Sequence, residues 1–262
     1  MPFTLAHAAA VLPVRRAGFI ASAFVVGTFG PDFEYFLLLE PKSRFGHHWP
    51  GVLFFTLPAS LLALWLFHSF IKRPASALLP LAVEQRLPPY LGDFRFGGAR
   101  RFLWIVLSIS AGIATHIFWD SFTHRHTWAT QTWPVLLKGF AMPVLGVFPL
   151  YQILQHVSTI FGLAALTVWF LQWLRAEIPI PANGAEGLRA SQKIAIVSGM
   201  IFVAAAGAAI RALTATPSPA NAHSLARFVI VLGVTAVTFL SLEILAYSVW
   251  WTLARAKAET EG

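Results

Sequence analysis

Long runs of apolar residues constrain this chain more than any other feature. Five segments carry almost no charged side chain and approach the roughly 20 residues that an α-helix needs to cross a bilayer. They are Trp49 to Ile71, Phe102 to Trp119, Val157 to Leu174, Ile194 to Ile210 and Phe228 to Trp251. Of all 262 residues, 57% are apolar and only 11% are charged, which is not the composition of a soluble domain. The sequence therefore predicts an all-α polytopic membrane bundle with five or six transmembrane helices.

A sixth apolar segment, residues 17–39, is interrupted in its middle. The stretch GTFGPD, residues 27–32, contains two glycines and a proline, which break a helix. This pattern predicts a broken N-terminal segment of two short helices or a re-entrant pair.

The basic residues lie in the loops between the apolar segments. The net charge of +8 is therefore no sign of a nucleic-acid partner, and none is expected. Eleven Lys and Arg residues fall in 72–101, in 175–193 and in the C-terminal tail, whereas the alternate loops 120–156 and 211–227 carry four. Loops rich in Lys and Arg stay in the cytoplasm. This bias predicts a multi-pass protein of the bacterial inner membrane whose 120–156 loop faces outward.

The stretch HIFWDSFTHRH, His116 to His126, closes the second apolar run. An ionisable group at membrane depth costs roughly 3 kcal/mol, so this cluster needs a compensating interaction. On a continuous helix, His116, Asp120 and His124 lie four residues apart on one face and form a stripe of metal ligands. The alternative is that His124 and His126 are loop residues at the membrane interface. His126 lies off the stripe and can serve a second site if the helix ends near Thr123.

Other ligand-type residues fall where they can reach the same membrane face. His47 and His48 precede the span that begins at Trp49, and Asp120 and His124 follow the span that ends at Trp119. Asp32 joins them if the break in the sixth segment lies near that face. The chain has no cysteine, so any metal ion must be held by histidine and carboxylate.

Four stretches carry a family resemblance: MPFTLAHAAAVLP, GTFGPDFEYF, HHWPG and ATHIFWDSFTH. They closely resemble a bacterial membrane protein family described as domain of unknown function 4184, and more distantly the predicted membrane-bound metal-dependent hydrolases and the zinc-dependent phospholipases C. The likeness extends to about residue 165. It implies a metal-site domain over 1–165 and a remainder, 166–262, that completes the third span and adds two transmembrane helices to the same bundle.

The resemblance also implies a set of metal ligands. These are His7, Asp32, His47 or His48, His116 and Asp120, with His124 or His126 serving a second metal and His156 as a further candidate ligand for it. The zinc enzymes have a carboxylate after their last zinc histidine, for which this chain offers no counterpart. We therefore expect one or two zinc-like ions.

Together these observations favour a metal-dependent hydrolase in the outer half of the membrane. A lipid or lipid-linked phosphoester would reach it from the bilayer, so membrane lipid is the expected partner. Glu34 is the candidate general base, although it is equally typical of a boundary residue, and Arg125 is the candidate ligand for phosphate oxygens, although such a charge often meets lipid headgroups. The rival interpretations are a metal carrier, a haem-binding bundle and a purely structural protein.

Orientation can be measured directly. A reporter fused after Pro88 should read cytoplasmic, because the 72–101 loop is the most basic, and one inserted near Gln131 should read external. The opposite pattern in reporter assays would put the 120–156 loop in the cytoplasm and change the class of substrate.

Overall fold

The computed structural model describes residues 3–14, 16–142, 146–180, 187–216 and 222–261. Its helices are α1 (Thr4–Val14), α2 (Ala21–Phe29), α3 (Phe33–Leu38), α4 (Trp49–Ala77), α5 (Leu81–Glu84), α6 (Ala99–Thr123), α7 (Trp128–Thr132), α8 (Leu150–Ala176), α9 (Ala190–Ala215) and α10 (Ala222–Glu261). Short 3-10 turns occupy Gly30–Asp32, Pro88–Tyr90 and Pro134–Leu137. Strands β1 (Gly139–Met142) and β2 (Gly146–Pro149) form an antiparallel hairpin.

Five helices among the described residues are long and apolar enough to cross a membrane: α4, α6, α8, α9 and the Ser224–Arg255 part of α10. They coincide with the five predicted segments, and each extends past the apolar run. At the start of α8, for example, the added stretch LYQILQ contains leucine and glutamine, which favour helix. The prediction of an all-α polytopic bundle is confirmed.

The sixth segment forms two short helices. Helix α2 ends at Phe29, the 3-10 turn Gly30–Asp32 follows, and α3 continues to Leu38. Pro31 lies in that turn, where its missing N–H removes a helical hydrogen bond and favours the tighter geometry. The predicted break is thus present, and it leaves Asp32 at the junction.

The chain divides into two compact units. The first comprises Met1–Phe33, Arg44–Leu64 and Phe96–Arg175, and the second comprises Glu34–Ser43, Trp65–Arg95 and Ala176–Gly262. In the second unit α9 packs along α10. In the first unit the main helix pair is α2 with α6. The separate prediction of a boundary near residue 165 stays a prediction.

Two glycines bring α2 and α6 into close contact. A Cβ atom on Gly27 would lie 2.2 Å from the carbonyl oxygen of Ile109, and one on Gly112 would lie 2.2 Å from that of Phe24. Small residues let the backbones of membrane helices approach in this way. Because Gly112 precedes His116 by one turn, the crossing also fixes the depth and rotation of that histidine relative to α2.

This crossing gives a stability prediction. Gly112→Ala forces a side-chain atom into the backbone of α2 and should lower the free energy of unfolding by about 2 to 3 kcal/mol. In Gly199→Ala, on α9, the new Cβ meets no atom within 4 Å, so that control should be neutral or slightly stabilising. Thermal unfolding of both variants in detergent tests this, and equal melting temperatures would contradict the close crossing.

Candidate metal centre

Helix α6 contributes two ligand-type side chains, His116 and Asp120. They lie on successive turns of the same face and are both buried, with the Nε2 atom of His116 3.3 Å from Oδ2 of Asp120. Around them the helix has a buried stripe that includes Ile109, Gly112 and Ile113. The side chains are therefore directed inward by the apolar face that packs the helix.

Helix α1 contributes His7. Its ring stacks on that of His116 with centroids 3.9 Å apart, and its Nε2 lies 3.3 Å from Oδ1 of Asp120. Helix α1 is held against α8, because the Phe3 amide donates to Oγ1 of Thr159 at 3.1 Å and Ala6 fills the space where Gly162 lacks a Cβ. Docking on α8 thus fixes the position of His7.

The broken segment contributes Asp32. This side chain is completely buried, and its Oδ1 lies 3.6 Å from Nε2 of His116. Its other oxygen, Oδ2, accepts a hydrogen bond of 2.7 Å from the Thr4 hydroxyl. The two oxygens of Asp32 therefore have different partners, one on α1 and one on α6.

The loop before α4 contributes His47. Its Nε2 lies 3.5 Å from Oδ2 of Asp120 and 3.8 Å from Oδ1 of Asp32. This loop folds back onto the first turn of α4, where a Cβ on Gly51 would lie 1.9 Å from the Phe45 carbonyl oxygen. His48 is exposed as the N-cap residue of α4. Of the two histidines that the sequence left open, the structure brings His47 to the other ligands.

These five residues form the histidine–aspartate cluster: His7, Asp32, His47, His116 and Asp120. Within it, two overlapping groups, His7 with His116 and Asp120, and Asp32 with His47 and His116, have their ligand atoms within 4.8 Å of one another. The imidazole-to-carboxylate distances, 3.3 to 3.8 Å, exceed those of good hydrogen bonds. Ligand atoms at the corners of a tetrahedral zinc site lie about 3.3 to 3.4 Å apart. The spacing fits donors arranged around an ion.

The tautomer of His116 is set by the backbone. Its Nδ1 lies 2.7 Å from the carbonyl oxygen of Thr28, which can only accept, so Nδ1 carries the proton. The lone pair of Nε2 then points into the cluster. Metal-ligating histidines are commonly held in this way by a carbonyl or carboxylate on the opposite ring nitrogen.

Several polar atoms of the cluster are buried without a hydrogen-bond partner. Among the described residues, hydrogen-bond partners are missing for His7 Nε2, Asp32 Oδ1, His116 Nε2 and Asp120 Oδ1. Burial lowers the pKa of His7, which favours its neutral form, and burial raises the pKa of Asp32, although the neighbouring histidines and Thr4 partly offset this. Two buried carboxylates need compensating charge, which a protonated imidazole or a bound cation supplies.

The remaining predicted site residues lie at the edge of the cluster or away from it. His124 follows the last residue of α6; its Nδ1 lies 3.0 Å from the backbone oxygen of Asp120 and 3.6 Å from Oδ2 of the same residue. Burial lowers its pKa. Arg125 and His126 are exposed in the turn before α7, and His126 has a positive φ of 65°. Glu34 is buried in the second unit, where the Ser43 hydroxyl donates to it at 3.1 Å.

Two supporting groups were missed by sequence reasoning. Thr4 lies three residues before His7 on α1, a spacing that places both on one helix face, so this position could have been found. The Thr28 carbonyl is a backbone group and leaves no sequence signal of its own. Thr4 binds Oδ2 of Asp32 and the Thr28 carbonyl binds Nδ1 of His116, so the other polar atom of each side chain, Oδ1 or Nε2, faces the cluster.

A comparison with family models matches residues 1–249 to the domain of unknown function DUF4184, and the chain belongs to this family. A search of curated proteins and a search of solved structures found no match. The family description names no reaction, and the chemistry of this chain therefore depends on the histidine–aspartate cluster.

The Thr4 hydroxyl provides a test of this arrangement. Thr4→Val keeps the shape of the side chain but removes the hydrogen bond to Asp32, and loss of such a supporting contact should weaken zinc binding by about 10-fold to 100-fold. Thr167→Val, on the exposed side of α8, removes only a bond to its own helix and should bind normally. Competition with a chromogenic chelator measures both affinities. Equal affinity in the two variants would show that Asp32 is not held for an ion.

Proposed function

We propose that this protein is a membrane-embedded, metal-dependent hydrolase of phosphoesters, with a divalent ion of the zinc type as cofactor and a lipid or lipid-linked phosphoester as substrate. The observation that carries the proposal is the pair of overlapping three-residue groups in the histidine–aspartate cluster, whose donor atoms are spaced as metal ligands are spaced. Histidine and carboxylate donors suit zinc without thiolates.

The donor set supports one ion held by three side chains, Asp32, His47 and His116, with a further position open to water and Asp120 beside it. His47, His116, Asp32 and Asp120 supply two imidazoles and two carboxylates, whose charges balance a divalent cation. His116 has a single nitrogen free for coordination, so the two overlapping ligand groups cannot both be complete at once. A second ion would depend on His7 and on Oδ1 of Asp120, which faces that ring.

Access to the cluster favours catalysis over a closed structural site. His7, Asp32, His116 and Asp120 are buried, whereas the side chain of His47 is 21% exposed and that of His124 is 30% exposed. Catalytic zinc sites keep an open position, whereas structural ones are closed. We infer that substrate and water enter past His47 and His124.

An ion held here would act as a Lewis acid and lower the pKa of water. Hydrolysis adds one water to phosphorus, breaks one P–O bond and transfers a proton to the departing alcohol, so no further reactant is needed. His124, whose Nδ1 lies 3.6 Å from Oδ2 of Asp120 and whose side chain is partly exposed, is placed to accept the water proton. The assignments of Glu34 as base and Arg125 as phosphate ligand stay predictions.

The non-catalytic alternatives use fewer features of the cluster. A haem between two histidines needs their ring nitrogens on opposite sides of one plane and has no use for aspartates, whereas His7 and His116 stack face to face beside two carboxylates. A metal carrier would use the same ligands without hydrolysis. Activity measurements separate the carrier from the hydrolase.

The adjacent pair His47 and His48 offers a matched experiment. His47→Ala removes a cluster ligand and should reduce the zinc content of the purified protein, measured by elemental analysis, together with hydrolysis of bis(p-nitrophenyl) phosphate. His48→Ala, the control, changes an exposed side chain and should leave both unchanged.

Asp120→Asn extends the test because it removes charge with almost no change in shape. Its zinc content should fall sharply, and added zinc should no longer raise its melting temperature, whereas in the wild type a hundredfold excess over Kd contributes about 2.7 kcal/mol. Full zinc content in both His47→Ala and Asp120→Asn would refute the metal site. Zinc lost as expected, but with no phosphoester hydrolysed by the wild type, would favour the carrier.

A further inference from the structure

The segment between α6 and α8 contains an apolar β-hairpin. Strand β1 reads GFAM and strand β2 reads GVFP, with Phe140 opposite Phe148 and Ala141 opposite Val147. Val147 is 71% exposed, Phe140 is 39% exposed and Met142 is 38% exposed. Successive residues of a strand point to opposite faces, so both faces of the hairpin present apolar side chains. A two-stranded ribbon of this kind is at best marginally stable in water.

An aromatic group lies on the same segment. Phe122, on the last turn of α6, stacks on Trp133 at 5.6 Å and contacts Trp128 at 5.6 Å, and the two tryptophans lie 5.5 Å apart. Phe118 and Trp119 join them from the preceding turn, and both tryptophans of the loop are exposed. Exposed tryptophans beside the end of a spanning helix are typical of the membrane–water interface.

We infer that the hairpin and this aromatic group form a surface that lies in the headgroup region of the bilayer, with membrane lipid as its partner. The chain enters the segment from α6 and leaves it directly into α8. Both helices are long and apolar enough to span a membrane, so the segment between them has to stay close to the membrane surface. The outer edge of each strand has no neighbouring strand, so its backbone groups would lack hydrogen bonds in the hydrocarbon core, and the hairpin is not expected to lie there. Lys138, at the base of β1 and 6.0 Å from the Phe140 ring, suits lipid phosphate.

The position of this surface sets the depth of the cluster. Asp120 and His116 lie on the same turns of α6 as Trp119 and Phe118, about 4.5 Å and about 10.5 Å before the helix end at a rise of 1.5 Å per residue. The cluster therefore lies at the level of lipid phosphates and glycerol. Resting on the proposed function, this makes the substrate a bilayer phospholipid whose phosphoester enters sideways.

Because the chain lacks cysteine, single-cysteine variants allow the depth to be measured. A nitroxide label is attached to the Val147→Cys variant, which is placed in vesicles of phosphatidylcholine and phosphatidylglycerol. The accessibility of the label to oxygen, compared with its accessibility to a water-soluble nickel chelate, reports its depth in the bilayer. Phe161→Cys, exposed near the middle of α8, and Asp93→Cys, in an exposed polar loop, give the membrane and aqueous references. The label at 147 should fall between them. An accessibility at position 147 equal to that at position 93 overturns the inference. Spin–spin broadening that disappears on dilution with unlabelled protein also overturns it, because a second copy of the protein would then cover the hairpin.

The substrate part is tested separately. In the double variant Phe140→Ser with Val147→Ser, hydrolysis of vesicle phospholipid should fall by about tenfold or more through lost apolar insertion, while zinc content and hydrolysis of bis(p-nitrophenyl) phosphate stay unchanged. Equal loss on both substrates, or loss on neither, would refute the lipid-presenting role. Absence of zinc from the purified wild type would instead refute the proposed function. The depth measurement alone would then test whether the hairpin lies in the headgroup region.

Discussion

The burial of two carboxylates at the end of a membrane-spanning helix is the constraint on which the first unit depends. Asp32 and Asp120 are held away from water, and the groups that face them are imidazole rings and a threonine hydroxyl. Buried carboxylates need compensating charge close by. The docking of α1 on α8, the glycine crossing of α2 with α6 and the folding of the 44–48 loop onto α4 all bring a donor atom to this point. Much of the local packing thus follows from an electrostatic need.

The spans and the helix break were predictable because their signals are local. Apolar length and the GTFGPD sequence act within one helix or one turn, and neither depends on distant contacts. The pairing of His116 with Asp120 was predictable for the same reason, as it follows from helical spacing. His124 lies just beyond the helical part of the predicted stripe, because α6 ends at Thr123, although its Nδ1 remains 3.6 Å from Oδ2 of Asp120. The Thr127 hydroxyl donates a hydrogen bond to the carbonyl oxygen of His124 and caps the next helix.

The choice between His47 and His48 was not predictable, because it depends on a contact between segments. The close approach of Phe45 to Gly51 and the hydrogen bond from the Thr56 hydroxyl to the Gly46 carbonyl oxygen position this loop. The orientation of His116 likewise depends on the Thr28 carbonyl, which any residue type could supply. Glu34 shows that closeness in sequence to a cluster residue does not place a side chain in the cluster. It lies two positions after Asp32 in sequence, yet the two residues belong to different compact units.

The order of the ligands along the chain has a consequence for biosynthesis. His7 leaves the ribosome before its partner Asp120, which follows 113 positions later and hence after roughly 5 to 25 s of further synthesis. During that interval α1 has neither the complete α6 nor α8 to pack against. The histidine–aspartate cluster can therefore assemble only after Asp120 has been translated, and α1 can dock only after α8 has followed.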